Sequence, residues 1–195
     1  MKGYSGFEAR QSKYLAMPPE GAYEAQIQGV RVERDRENTH DILVLMVEIM
    51  YGEYANRYHE LYENKKNRFG GDAKYPGVYR LTVPNEDEPE DRAFLKRRFE
   101  NAMFCIEQSN PGYHWAWDER SLKGKGVGIN VRKRFYQYNG KDYESTEIGQ
   151  FETLEDVIAG KWKPMKPRDS RQKAEEQPEA AQPAYTPVED VEVPF

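Results

Sequence analysis

Residues 125–138 read KGVGINVRKRFYQY and run directly into Asn139-Gly140. The alternation is that of a strand: Val127, Ile129, Val131 and Phe135 take one face, and Asn130, Arg132, Arg134, Tyr136 and Tyr138 take the other. Asn-Gly is a strong two-residue hairpin signal, because both central positions of the turn need a positive φ, and it returns the chain through KDYESTEIGQF as a second strand. One face of this hairpin supplies core. The other mixes guanidinium groups with phenol rings.

Upstream, residues 21–34 (GAYEAQIQGVRVER) alternate apolar and polar, and the apolar side changes face near Gly29, which predicts a bulge. Residues 41–51 (DILVLMVEIMY) put Leu43, Leu45, Val47 and Ile49 on one face and Val44, Met46 and Glu48 on the other, the pattern of a central strand. RYHELYEN and PGVYRLTV read as further extended chain, separated by the basic loop KKNRFGGDAKYPG. Residues 89–109 predict a helix: Phe94, Leu95, Phe99, Ala102, Met103 and Ile106 recur at helical spacing, Glu88, Glu90 and Asp91 stand at its start, and Asn110-Pro111-Gly112 stops it. TLEDVIAG adds a short final helix. The order is three strands, a helix and two strands. It predicts a mainly β fold, a five-stranded OB-fold barrel with its helix between strands 3 and 4, although an α+β sheet under one helix shares the same elements.

With 195 residues, 37% hydrophobic and 32% charged, the chain has room for one core plus a tail. The predicted body is 1–164, with 1–20 as an N-terminal arm, and 165–195 is a predicted flexible tail, poor in large apolar side chains. The single cysteine, Cys105, excludes an internal disulfide and reads as a small buried hydrophobe. His40, His59 and His114 have no metal-ligand spacing, so neither metal nor cofactor is expected. There is no apolar run of bilayer length and no secretory signal, which predicts a cytoplasmic protein with no membrane partner.

The net charge of −5 conceals an uneven distribution. Residues 175–195 carry six carboxylates and no base, which leaves 29 bases against 28 acids in residues 1–174. Residues 120–141 hold seven bases and no carboxylate, a local field that steers anions.

Cations neutralise phosphates and flat rings accept unpaired bases, so a face carrying both suits a single strand of nucleic acid. Arg132, Arg134, Tyr136 and Tyr138 form one such candidate set. Tyr58, Tyr62, Lys65, Lys66, Arg68, Phe69, Lys74, Tyr75 and Arg80 form a second, with Tyr58 and Tyr62 on the same strand face. Tyr113, Trp115 and Trp117 read as core packing, and Lys96, Arg97 and Arg98 as a solvated helix face able to extend a phosphate track. The sequence holds no phosphate-cradling glycine motif, nucleophile elbow or catalytic triad, so enzymatic activity is not expected.

VEDVEVPF resembles the acidic tip of bacterial single-stranded DNA-binding proteins, with Asp190, Glu192, Pro194 and Phe195 matching that pattern and Val191 and Val193 interrupting it. PPEGAYEAQIQGVRVE, VEIMYGEYANRYHELYEN and LKGKGVGINVRKRFYQYNGKDYE resemble small phage-encoded OB-fold single-strand binders of replication and recombination modules, over residues 18–160. The resemblance implies sequence-independent binding and protection of single-stranded DNA in an infected host's cytoplasm. It further implies that Asp190, Glu192, Pro194 and Phe195 recruit replication proteins such as a polymerase, primase or helicase. The insertion at 64–79 departs from the pattern. A strand-annealing recombination mediator or an RNA-binding regulator would use a similar face.

Overall fold

Strand β1 (Gly21–Arg34) is divided between two neighbours: its first part pairs with β4 (Gly126–Tyr138) through Gly21–Gln26, and its later part pairs with β2 (Asp41–Ile49) from Ala25 to Arg34. The register with β2 slips between Ile27 and Gly29, which leaves Gln28 as the extra residue. A bulge of this kind bends the strand and increases its twist, at the point where the apolar side was expected to change face. The computed structural model describes residues 15–69 and 73–171.

The remaining elements are α1 (Arg57–Phe69), β3 (Val78–Thr82), α2 (Ala93–Ser109), β5 (Lys141–Glu152), α3 (Leu154–Ile158) and β6 (Arg168–Asp169). The sheet runs in the order β3-β2-β1-β4-β5, antiparallel throughout, and β6 pairs in parallel with Arg134 and Phe135 of β4. Because β5 occupies one edge of β4 along most of its length and β1 leaves the other edge at Val131, β6 takes up the edge that β1 vacates. The fold is mainly β, with a helix after the third strand as expected.

The two outer strands, β3 and β5, exchange no ladder hydrogen bonds among the described residues. Beneath this open seam the buried rings of Tyr79 and Phe151 meet with centroids 4.5 Å apart. Leu43, Leu45, Val47 and Ile49 of β2 all point into the core, as their alternation requires. Helix α2 lays Phe99, Ala102, Met103, Cys105 and Ile106 on the same core. Each large apolar side chain so buried contributes roughly 1.5–3 kcal/mol. Phe94 departs from its expected core position and is 53% exposed. The Cys105 thiol is pushed up to about 12 by burial, consistent with an inert packing residue.

The largest difference from the sequence reading is RYHELYEN, which is helical. Glu48, a buried carboxylate on β2, accepts hydrogen bonds from the backbone N–H of Tyr58 (3.1 Å) and His59 (2.6 Å), two donors that a first helical turn leaves without partners. Tyr58 and Leu61, three residues apart, are the buried face. The helix packs so closely on β2 and β3 that a Cβ at Gly77 would collide with the Val47 carbonyl and the Tyr58 ring.

Residues 165–171, expected to begin the tail, instead belong to the ordered body through β6 and through Met165, which packs against Gly149. Residues 1–14 of the expected arm and 172–195 of the expected tail, including Asp190, Glu192, Pro194 and Phe195, lie outside the described residues.

Candidate nucleic-acid interface

The open seam between β3 and β5 is a cleft of about 530 Å³. Six cations line it, each from a different place in the chain except one pair: Lys65 on α1, Arg80 on β3, Arg98 on α2, Arg132 and Arg134 on β4, and Arg168 on β6. The one carboxylate in the lining, among the described residues, is Glu147 on β5. It sits opposite Arg132 in the ladder and accepts from Arg132 Nε and Nη2 at 3.0 and 2.8 Å, while Arg134 Nε and Arg168 Nη1 stand 3.8 and 3.7 Å from its other oxygen. A single carboxylate cannot neutralise three guanidinium groups, so the cleft retains a large positive excess. Among the described residues Arg98 donates to the Tyr79 hydroxyl and the Arg80 carbonyl and pairs with no carboxylate.

The aromatic part of the site continues along the same face of the hairpin. Tyr136 lies opposite Tyr143 in the ladder, and their rings stack with centroids 5.6 Å apart at 20°. The Arg134 guanidinium covers Tyr136 at 5.2 Å. Tyr138 and Tyr143 are 64% and 42% exposed, which leaves ring surface open to solvent. The turn that builds this arm is the expected one, with positive φ at Asn139 (49°) and Gly140 (72°). The extra residue at the β4–β5 register shift is Gly149 of β5, so Asn130 keeps its place in the β4 alternation but is fully buried there, its amide donating to Glu152 Oε1 and the Lys163 carbonyl, each at 2.9 Å.

The second candidate segment meets the first at β3. Tyr62, Lys74 and Tyr75 line a depression of about 790 Å³ that shares Val78 and Arg80 with the cleft. The rings of Tyr62 and Tyr75 are 5.8 Å apart, and Lys66 Nζ lies 5.8 Å over the Tyr62 ring. The Tyr75 hydroxyl points inward to Glu48 Oε2 at 2.7 Å, and burial together with this bond raises its pKa above the ordinary phenol range. Arg80 also pairs with Glu33 at 2.7 Å, which holds the Glu33 carboxyl below its usual value.

Tyr58 is a correction. It is 1% exposed, packed beneath α1, and offers no ring to a ligand. The side chains of Arg68 and Phe69 lie outside the described residues. Arg132, Arg134 and Lys65 come together in the cleft, Tyr136 and Tyr138 extend from it, and Tyr62, Lys74 and Tyr75 adjoin it across β3. The uncompensated charge expected for residues 120–141 is partly offset, because Lys133 pairs with Glu144 at 3.4 Å and Arg132 with Glu147. Arg80, expected with the second segment, lines both depressions, whereas Arg168 and Tyr143 were not among the candidates. Tyr143 was within reach of the sequence, since a two-residue turn at Asn139-Gly140 fixes Tyr136 opposite it.

Among the described residues, no group of three His, Cys, Asp or Glu side chains is placed to hold a metal ion, and no helix is long and apolar enough to cross a membrane. No protein-family model matches the chain, and no curated protein matches its sequence.

Proposed function

We propose that the protein binds single-stranded DNA without sequence preference, using the β3–β5 seam and the tyrosine-bearing β4–β5 hairpin. The observation that carries this reading is the set of six cations facing one carboxylate in the seam, directly beside the stacked Tyr136 and Tyr143 rings. Phosphates would run along the cations while unpaired bases stack on the exposed tyrosines, a division of labour that tolerates any sequence. The strand order β3-β2-β1-β4-β5, with α2 between β3 and β4, supports reading the open sheet as an OB-fold, a scaffold that nucleic-acid ligands suit. The resemblance to phage-encoded single-strand binders adds the expected setting, protection of DNA during phage replication or recombination, with a tip at Asp190, Glu192, Pro194 and Phe195 that engages replication proteins.

The test is a fluorescence titration of labelled oligo-dT against duplex DNA and RNA of equal length. Preferential binding to the single DNA strand supports the proposal. Equal or tighter binding to RNA transfers the site to an RNA regulator, and acceleration of pairing between complementary strands transfers it to an annealing protein. Deleting residues 188–195 is expected to leave or raise oligo-dT affinity.

A further inference from the structure

We infer that the aromatic groove along α2 docks a segment of a second protein that carries a large apolar side chain flanked by lysine or arginine. The groove encloses about 710 Å³ and lies apart from the cationic cleft, with no lining residue in common. Its apolar floor comes from Phe99 and Phe104 on α2 and from Trp115 and Trp117 beyond the end of that helix. Phe99 and Trp117 stack with centroids 5.7 Å apart at 11°, and Trp115 closes the cluster at 6.0 Å from Trp117. Yet Phe104 and Trp117 remain 55% and 69% exposed. Trp117 also holds a left-handed backbone, φ 61°, a conformation costly for a bulky residue. Side chains of this size exposed together mark an interaction site.

Charge selects the occupant. Glu86, Glu100 and Glu107 line the groove against one cation, Lys96, whose ammonium is committed to the Glu86 carbonyl at 2.7 Å. Such a rim repels phosphates, so the rings are not a second base-stacking platform, and it repels equally the acidic stretch at 175–195 of this chain. It complements a basic, apolar segment, which would bury its large side chain between Phe104 and Trp117.

The test uses the full chain carrying Trp162→Phe, so that the emission of the two remaining tryptophans reports on the groove. The probe is a synthetic amphipathic peptide of leucine and lysine, with its glutamate-for-lysine counterpart as control. The lysine peptide is expected to shift the emission saturably to the blue, and Phe104→Ala and Glu100→Lys, both at exposed helix positions, are each expected to weaken it at least about tenfold. Oligo-dT is expected not to compete. Absence of a shift, equal binding of the glutamate peptide, or unchanged affinity in both variants overturns the inference. So does a shift in peptide-free protein on deletion of residues 1–14, whose Lys2, Arg10 and Lys13 beside Tyr4 and Phe7 would make them the occupant. A concentration-dependent dimer abolished by Phe104→Ala assigns the face to a second copy and overturns it as well.

Discussion

Arg132 and Glu147 occupy one rung of the β4–β5 ladder, and two nitrogens of the arginine converge on a single carboxylate oxygen. Among the described residues the same carboxylate is the only negative group lining a cleft with six cations. It therefore restrains the arginines and subtracts from their field. Replacing Glu147 with Gln is expected to raise oligo-dT affinity about threefold, the worth of one partly exposed charge contact. It is also expected to lower stability by about 1–2 kcal/mol through the lost charged hydrogen bonds. Titration and urea denaturation measure the two effects separately, and a fall in affinity would mean that Glu147 positions the guanidinium groups for binding.

Tyr143→Ala is expected to weaken oligo-dT binding by about 1–3 kcal/mol, the range for loss of a stacked base, with little change in salt dependence because no charge is removed. The hairpin should remain folded, since Tyr143 is 42% exposed and the turn lies elsewhere. Quenching of a base analogue placed along the oligonucleotide checks the stacking directly.

Glu48 joins β2 to the first turn of α1 and to Tyr75 through three hydrogen bonds, and accepts a fourth from the neighbouring Ile49 N–H. Glu48→Ala strands three backbone donors and the Tyr75 hydroxyl in the interior, and is expected to cost about 3 kcal/mol or more. The loss of helicity in far-UV circular dichroism should be confined to about one helix, and urea denaturation gives the magnitude.

His40 is buried between Asp35, 3.2 Å from Nδ1, and Glu88, 2.9 Å from Nε2. The Glu88 bond raises the imidazole above its ordinary 6.5, and the same bond lowers Glu88 below its ordinary 4.5. The raised imidazole stabilises the fold fully below pH 6.5 and loses that contribution as pH rises through its folded value. The lowered carboxylate contributes above pH 4.5 and loses its part as pH falls through its folded value. Stability from this cluster is therefore greatest between pH 4.5 and 6.5, and His40→Gln should remove the decline on the alkaline side. Urea midpoints taken stepwise from pH 4 to 9 test it; an unaltered alkaline decline in the variant rules the cluster out as its source.

The hairpin, the bulge in β1 and helix α2 were legible because each rests on a local signal: Asn139-Gly140, a change of apolar face near Gly29, and apolar side chains at helical spacing. Helix α1 was not, because tyrosines four residues apart share a face in a strand and in a helix alike. What decides between the two is Glu48, on another element. Charge over 120–141 was legible as composition, but its partial neutralisation depends on β5 carboxylates brought opposite by the turn. The cleft itself could not be read in advance. Arg80, Arg98 and Arg168 reach it from three elements whose only common feature is the open seam.

The most direct measurement is the slope of log affinity against log salt for oligo-dT, compared between the wild type and the Arg134→Ala/Arg168→Ala double variant. Both arginines line the seam and are partly exposed, so their removal leaves the core intact. If the seam carries the phosphates, affinity falls and the slope becomes shallower by about 1.4, the loss of two phosphate contacts on a single strand. An unchanged slope with unchanged affinity would contradict the account.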